Sequence, residues 1–177
     1  MTFRAGKYRI NWVNFYIRKM IMIHYIMTFL ISMVPLIELR GALIYAAGFQ
    51  IPLYYAFPIC VVGNMLPVPV IFFFARKVLE WGKDKKYIGK FFTFCLEKGH
   101  HGGEKLKKKA GKGLPWALLL FVGIPLPGTG AWTGTLAASI LDMDFKTSIR
   151  SVILGVLLAG VIMGTLSYLG FGMLFGL

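Results

Sequence analysis

The pattern that most limits this chain is an apolar run that breaks at proline, passes through polar or glycine-bearing backbone, and resumes as a small-residue apolar run. It occurs twice. The first copy is Val34-Pro35-Leu36, then Glu38-Leu39-Arg40-Gly41-Ala42 and Tyr45-Ala46-Ala47-Gly48. The second is Ile124-Pro125-Leu126-Pro127-Gly128-Thr129-Gly130-Ala131, then Thr135-Leu136-Ala137-Ala138. Backbone groups left free in hydrocarbon cost several kcal/mol each, so a broken helix persists in a membrane only when buried in protein or facing a wet cavity. Two such breaks at matching places point to a transport site at their meeting point.

Charge is segregated accordingly. Asp, Glu, Lys and Arg are absent from 20–37, 41–75, 113–141 and 151–177, and 57% of the chain is hydrophobic. Roughly 20 apolar residues suffice for a helix to cross the hydrocarbon. The expected fold is an all-α integral membrane protein with two inverted repeats, each a re-entrant helical hairpin followed by a transmembrane helix. Its segments read as a basic amphipathic stretch over 1–19, a first hairpin plus span over 20–77, a basic connector over 78–113 and a second hairpin plus span over 114–177. A signal-peptide reading of 20–34 is disfavoured by the long basic head and by Glu38 and Arg40 preceding the small residues at 45–47.

Within these units, helices are expected over 20–34, 42–49, 52–75, 114–124, 131–141 and 151–168. The breaks fall at 35–41 and 125–130, and 142–150 reads as a charged turn. Gly63-Asn64 and Pro67-Val68-Pro69 bend the first long span, because each proline removes a backbone donor. The two copies are offset by about ninety residues. A hairpin that enters and leaves on one face, followed by one crossing, forces the second copy to start on the opposite face, which gives inverted topology.

Twelve of the twenty Lys and Arg residues lie between Arg76 and Lys112. Lys/Arg-rich loops mark the cytoplasmic side of a cell-membrane protein and are drawn to anionic headgroups, so the net charge of +13 predicts membrane lipid and no nucleic acid as partner. Five basic residues within 1–19 fit this topology only if 20–34 crosses fully; a pure hairpin would put them outside. Cys60 and Cys95 have no ligand spacing and no shared compartment. His100-His101 lacks metal partners, and His24 reads as a packed aromatic. No cofactor, metal or catalytic grouping is expected, so an enzyme is not. Gly160 and Gly164 form a small-xxx-small contact that could pack internally or join two copies as a homodimer; internal packing is favoured.

Glu38 and Arg40 are the only charges between Met20 and Ala75. A charge at the membrane centre costs roughly 2.5–3.5 kcal/mol on insertion scales, so a charge kept there needs a task. Arg40 carries a planar fork of donors suited to phosphate or carboxylate. Glu38 is the candidate proton carrier. The competing reading is structural, with both side chains bonding free backbone of the two breaks and holding the tips together. On the opposite tip, Pro125, Pro127, Gly128, Thr129, Gly130, Trp132 and Thr133 complete the candidate site, with amides from Ala131 onward able to face an anion. Trp132 is read as a lining or packing residue. The glycines there have the wrong spacing for a dinucleotide loop. Pro35 and Asn64 mark where the first half bends around the site.

Pro35-Leu36-Ile37-Glu38-Leu39-Arg40-Gly41-Ala42 and Ile124-Pro125-Leu126-Pro127-Gly128-Thr129-Gly130-Ala131-Trp132-Thr133-Gly134, with Asn64-Met65-Leu66-Pro67-Val68-Pro69 between them, resemble the small multi-drug export protein family over about residues 28–168. That family is similar to DedA-type membrane proteins, pictured with two opposed re-entrant hairpins. The resemblance implies drug export. With Arg40 and the 128–131 amides holding an anion and Glu38 handling a proton, the expected function is secondary export of an amphipathic or anionic small molecule with protons as the coupling ion. The DedA-type relatives imply instead a flippase or scramblase for a polyprenyl phosphate, such as undecaprenyl phosphate, or for phospholipid. Glu38 and Arg40 take the acidic and basic hairpin roles by resemblance.

Overall fold

A computed structural model describes residues 19–83, Thr93 and residues 113–175. The basic stretch before Lys19 and most of the connector, with Cys95 and His100-His101, lie outside the described residues. Described secondary structure is all helical. We number the helices α1 (Lys19–Met33), α2 (Glu38–Gly48), α3 (Leu53–Met65), α4 (Val68–Lys83), α5 (Leu114–Gly123), α6 (Ala131–Ile140) and α7 (Phe145–Phe175).

Among the described residues, two stretches are long and apolar enough to cross a membrane. They are Leu53–Ala75, which joins α3 to the first half of α4, and Phe145–Met173 in α7. At 1.5 Å per residue the first reaches about 35 Å, against roughly 30 Å of hydrocarbon. By contrast α5 and α6, with 10 residues each, reach only about 15 Å. α1 folds back on α2, since the His24 ring stacks on Phe49 at 4.1 Å and its Nδ1 lies 2.8 Å from the Tyr45 hydroxyl. α5 and α6 likewise fold together, with Gly134 facing Val122 and Leu118.

Burial is inverted relative to a water-soluble domain. Thr28, Ser32, Asn64, Thr135, Ser148 and Ser151 are buried, while many Leu, Ile, Phe and Met side chains are exposed. A large exposed apolar surface is rare on soluble monomers and expected against lipid. The interior is built from small residues, Ala42, Ala46, Ala56, Ala131, Ala138 and Ala159, which let helix backbones approach closely. Cys60 is free and buried on α3. Gly160 and Gly164 face Phe57, Leu39 and Leu53 of the same chain, so this pair packs internally.

The positive-φ residues fall in pairs. The same interval separates Leu36 (φ 72) from Gly128 (φ 79), Glu38 (φ 51) from Gly130 (φ 156), and Gln50 (φ 54) from Asp142 (φ 53). The third pair closes both short helices alike. Ile51 N–H donates to Ala46 O and Gln50 N–H to Ala47 O at the end of α2; Met143 N–H donates to Ala138 O and Asp142 N–H to Ser139 O at the end of α6. This double bond is the Schellman pattern, which satisfies the last carbonyls of a helix. Gly63 and Gly155 stand at that interval too, each against the backbone of the preceding hairpin. A β-carbon on Gly63 would lie 2.8 Å from the Phe29 carbonyl oxygen, and one on Gly155 2.8 Å from that of Leu119.

Four boundaries differ from the sequence reading: α4 runs on to Lys83 past 75, α7 runs on to Phe175 past 168, and two helix starts shift. The first break is short: Glu38 N–H bonds Val34 O and Gly41 N–H bonds Ile37 O, so helix resumes at Glu38 and carries Arg40 and Gly41 in its first turn. Proline removes only its own donor, so the chain can recover within one turn. Second, α7 begins at Phe145, not near Ser151, and takes in Lys146 and Arg150. Asp144 is its N-terminal cap, accepting from Thr147 N–H at 3.0 Å and from the Thr147 hydroxyl at 3.1 Å. These bonds, the backbone one foremost, hold the Asp144 carboxyl below its ordinary value. The cap therefore contributes above the ordinary carboxylate range and is lost as pH falls through the lowered value.

Gly155→Ala should destabilise the protein by about 1–3 kcal/mol through forced separation of α5 and α7. Gly170→Ala, inside α7 and meeting open space, should be neutral or stabilising by up to about 1 kcal/mol. Unfolding titrated with denaturing detergent checks both, and equal stabilities would contradict the close-packing reading.

Candidate functional site

The second break, from Ile124 to Gly130, leaves the carbonyls ending α5 and the amides opening α6 without helical partners. The first turn of α2 supplies those partners. The Glu38 carboxylate accepts Ala131 N–H at Oε2 and Trp132 N–H at Oε1, both at 3.0 Å. Arg40 Nη1 donates to Leu126 O at 2.6 Å, and Nη2 to Ile124 O at 3.1 Å, Val122 O at 3.2 Å and Thr129 Oγ1 at 3.0 Å. The Thr129 hydroxyl also reaches the Ile124 and Leu126 carbonyls, at 3.0 and 2.9 Å. An anion therefore sits at the N-terminus of α6 and a cation at the C-terminus of α5, each opposite the helix-dipole end that favours it. Hydrogen bonds to charged groups contribute about 1.5–3 kcal/mol each.

Local backbone shapes this contact. The left-handed conformations at Leu36 and Glu38, each costing roughly 1–2 kcal/mol in a non-glycine residue, turn the chain so that α2 starts at the opposite tip. On the other side, Gly130 is required. A β-carbon there would collide with the Glu38 carboxylate.

Around this contact lies a cavity of about 740 Å³. Pro35, Glu38, Arg40, Pro125, Pro127, Gly128, Thr129, Trp132 and Thr133 line it, as the sequence placed them together. Two predicted site residues do not. Gly130 lies behind the carboxylate it cradles. Asn64 borders a smaller void with Glu38 and Arg40, where its buried Oδ1 has no partner among the described residues. The amides of Ala131 and Trp132 do face an anion, and that anion is Glu38 of the same chain.

Sequence reasoning missed the apolar wall: Ile71, Phe74, Ala75 and Val78 on α4, Leu136 and Ile140 on α6, and Met163 on α7. The α4 set has the i, i+3, i+4, i+7 spacing of one helix face, so a signal existed in the sequence. α6 is fixed to α4 by the Ser139 hydroxyl, which donates to Phe72 O at 2.7 Å.

Gly130→Ala should destabilise the protein by about 2–4 kcal/mol, since displacing the carboxylate orphans two amides at about 1–3 kcal/mol each. In a Glu38→Ala background the same change should cost less, leaving only the backbone strain of a non-glycine residue at φ 156, about 1–3 kcal/mol. A double-mutant cycle by denaturing-detergent titration checks this; additive effects would contradict the cradle.

Residues 38–162 match the family described as putative small multi-drug export protein. No curated protein and no solved structure matches the chain. The matched region starts at Glu38 and takes in Arg40, the bend between α3 and α4, the whole second break and the α7 glycines that pack on both hairpins. With its apolar spanning helices and a cavity at the joined breaks, the chain belongs to the small multi-drug export protein family, a membrane protein family whose description points to transport rather than enzymatic chemistry.

Proposed function

We propose that the chain is a proton-coupled exporter of an amphipathic small molecule that binds between the two breaks and α4. The observation carrying this reading is the cavity itself. Its volume lies within the few hundred to a thousand Å³ of small-molecule sites, and it is bordered by both broken segments at once. In this reading the chain is a multi-pass protein of the cell membrane with the basic connector on the cytoplasmic side. The two hairpins are re-entrant and belong to inverted repeats. The paired positive-φ residues, the twin helix ends and the Gly63 and Gly155 contacts support duplication.

Glu38 is the proton carrier in this scheme. Protonation turns one of its two acceptor oxygens into a donor, so the amide bond at that oxygen is lost and the tips loosen. Arg40 still holds the α5 carbonyls, which keeps the second hairpin assembled while the first moves. A second reading, movement of a polyprenyl phosphate or phospholipid, draws on the exposure of the cavity-lining Phe74 (57%) and Leu36 (85%), which brings the cavity to the apolar surface.

Efflux of an amphipathic dye from proteoliposomes under a pH gradient tests the proposal. Glu38→Gln keeps one acceptor oxygen, so it should stay folded yet lose coupling, with efflux down by about tenfold, equivalent to 1.4 kcal/mol. Arg40→Lys should fail to assemble the carbonyl cluster, because a point charge cannot serve diverging acceptors as a guanidinium fork does. Unchanged, still pH-driven efflux in folded Glu38→Gln would overturn the proton role.

A further inference from the structure

Broken helices in transporters bind ions at two features, free amides at a half-helix N-terminus for anions and free carbonyls at a half-helix C-terminus for cations. In this chain both are already taken. The opening amides of α6 go to Glu38, and Val122 O at the end of α5, with Ile124 O and Leu126 O just past it, goes to Arg40. The two charges also balance each other within one site. An anionic ligand that drew Arg40 away would break its bonds to three carbonyls and to Thr129, and would take from Val122 O the one partner it has among the described residues. A cationic ligand that drew Glu38 away would orphan two amides. Of the remaining walls, Ile71, Phe74, Val78, Leu136 and Ile140 are hydrocarbon, and Trp132 and Thr133 bring polar atoms but no charge.

Resting on the export reading above, we propose that the part of the substrate held in this cavity is uncharged and apolar, an aromatic or aliphatic body with no ionised group at the breaks. Glu38 and Arg40 are positioning residues that hold the second hairpin in shape and do not ligate cargo. Any charged end of an exported molecule stays outside the cavity, at the membrane surface.

The test uses the full chain in lipid nanodiscs and three photoreactive naphthalene diazirines that differ only in a hydroxymethyl, carboxylate or trimethylammonium group. Labelling at the α4 and α6 cavity residues is read by mass spectrometry as a ratio to labelling at Leu154, an exposed residue that does not line the cavity. This ratio removes differences in lipid partitioning. The neutral probe should give a ratio about tenfold above both charged probes, a difference of 1.4 kcal/mol. The ratio should collapse in Leu136→Trp and in Ala75→Phe, which fill the cavity from different helices. A carboxylate probe with the highest ratio would overturn the inference and favour an anionic headgroup. Equal ratios for all three probes, or labelling that survives both cavity-filling variants, would also overturn it. A neutral probe that labels the cavity but is not moved under a pH gradient sinks the export reading and leaves the ligand class standing. Pumped carboxylate with cavity labelling does the reverse.

Discussion

Seven residues of non-helical backbone between α5 and α6, Ile124 to Gly130, set the terms for the rest of the molecule. Its carbonyls, and the amides that open α6 behind it, lie outside the helical ladder, so the fold must supply partners from elsewhere in the chain. Glu38 and Arg40 do so across the interface between the two halves. Because the carboxylate meets a helix N-terminus and the guanidinium a helix C-terminus, two charges that would each be unfavourable in a membrane become caps. The rest follows from bringing α2 within reach: left-handed turns at Leu36 and Glu38, a glycine at 130, and alanines at 42, 46, 131 and 138 that let helices approach.

The two breaks share backbone features but not a chemistry. Paired turns and helix ends recur at one interval, yet the positions matching Glu38 and Arg40 are Gly130 and Trp132. The first break needs no such caps, since it regains helical bonds within one turn at Glu38 and Gly41. The second is longer and leaves more backbone open. The unequal break lengths explain why both charges sit on one hairpin and reach toward the other. They also explain why the cavity is bounded by tips on one side and by hydrocarbon from α4 and α6 on the other.

Much of this was legible in the residues. Proline and glycine placed both breaks, the charge gaps placed the apolar helices, and the isolation of Glu38 and Arg40 marked them as requiring partners. The structural reading of that pair, bonding free backbone across the tips, matches their hydrogen bonds. The start of α7 was missed because Lys146 and Arg150 look like turn residues until Asp144 is seen as a cap three residues before Thr147. The α4 wall was missed because Ile71, Phe74 and Ala75 read as part of a plain apolar span and Val78 as the start of the basic connector. Only the packing of α6 against α4 reveals that one face of that helix borders the cavity.

The capping geometry can be separated from a simple ion pair by exchanging the two charges. If Glu38 and Arg40 served mainly each other, Glu38→Arg combined with Arg40→Glu would restore the stability lost in either single reversal. With helix termini as their partners, the exchange puts a cation at the α6 amides and an anion at the α5 carbonyls. The double variant should then unfold at least as early in denaturing detergent as the worse single reversal. Recovery to the stability of the unaltered chain would contradict the account.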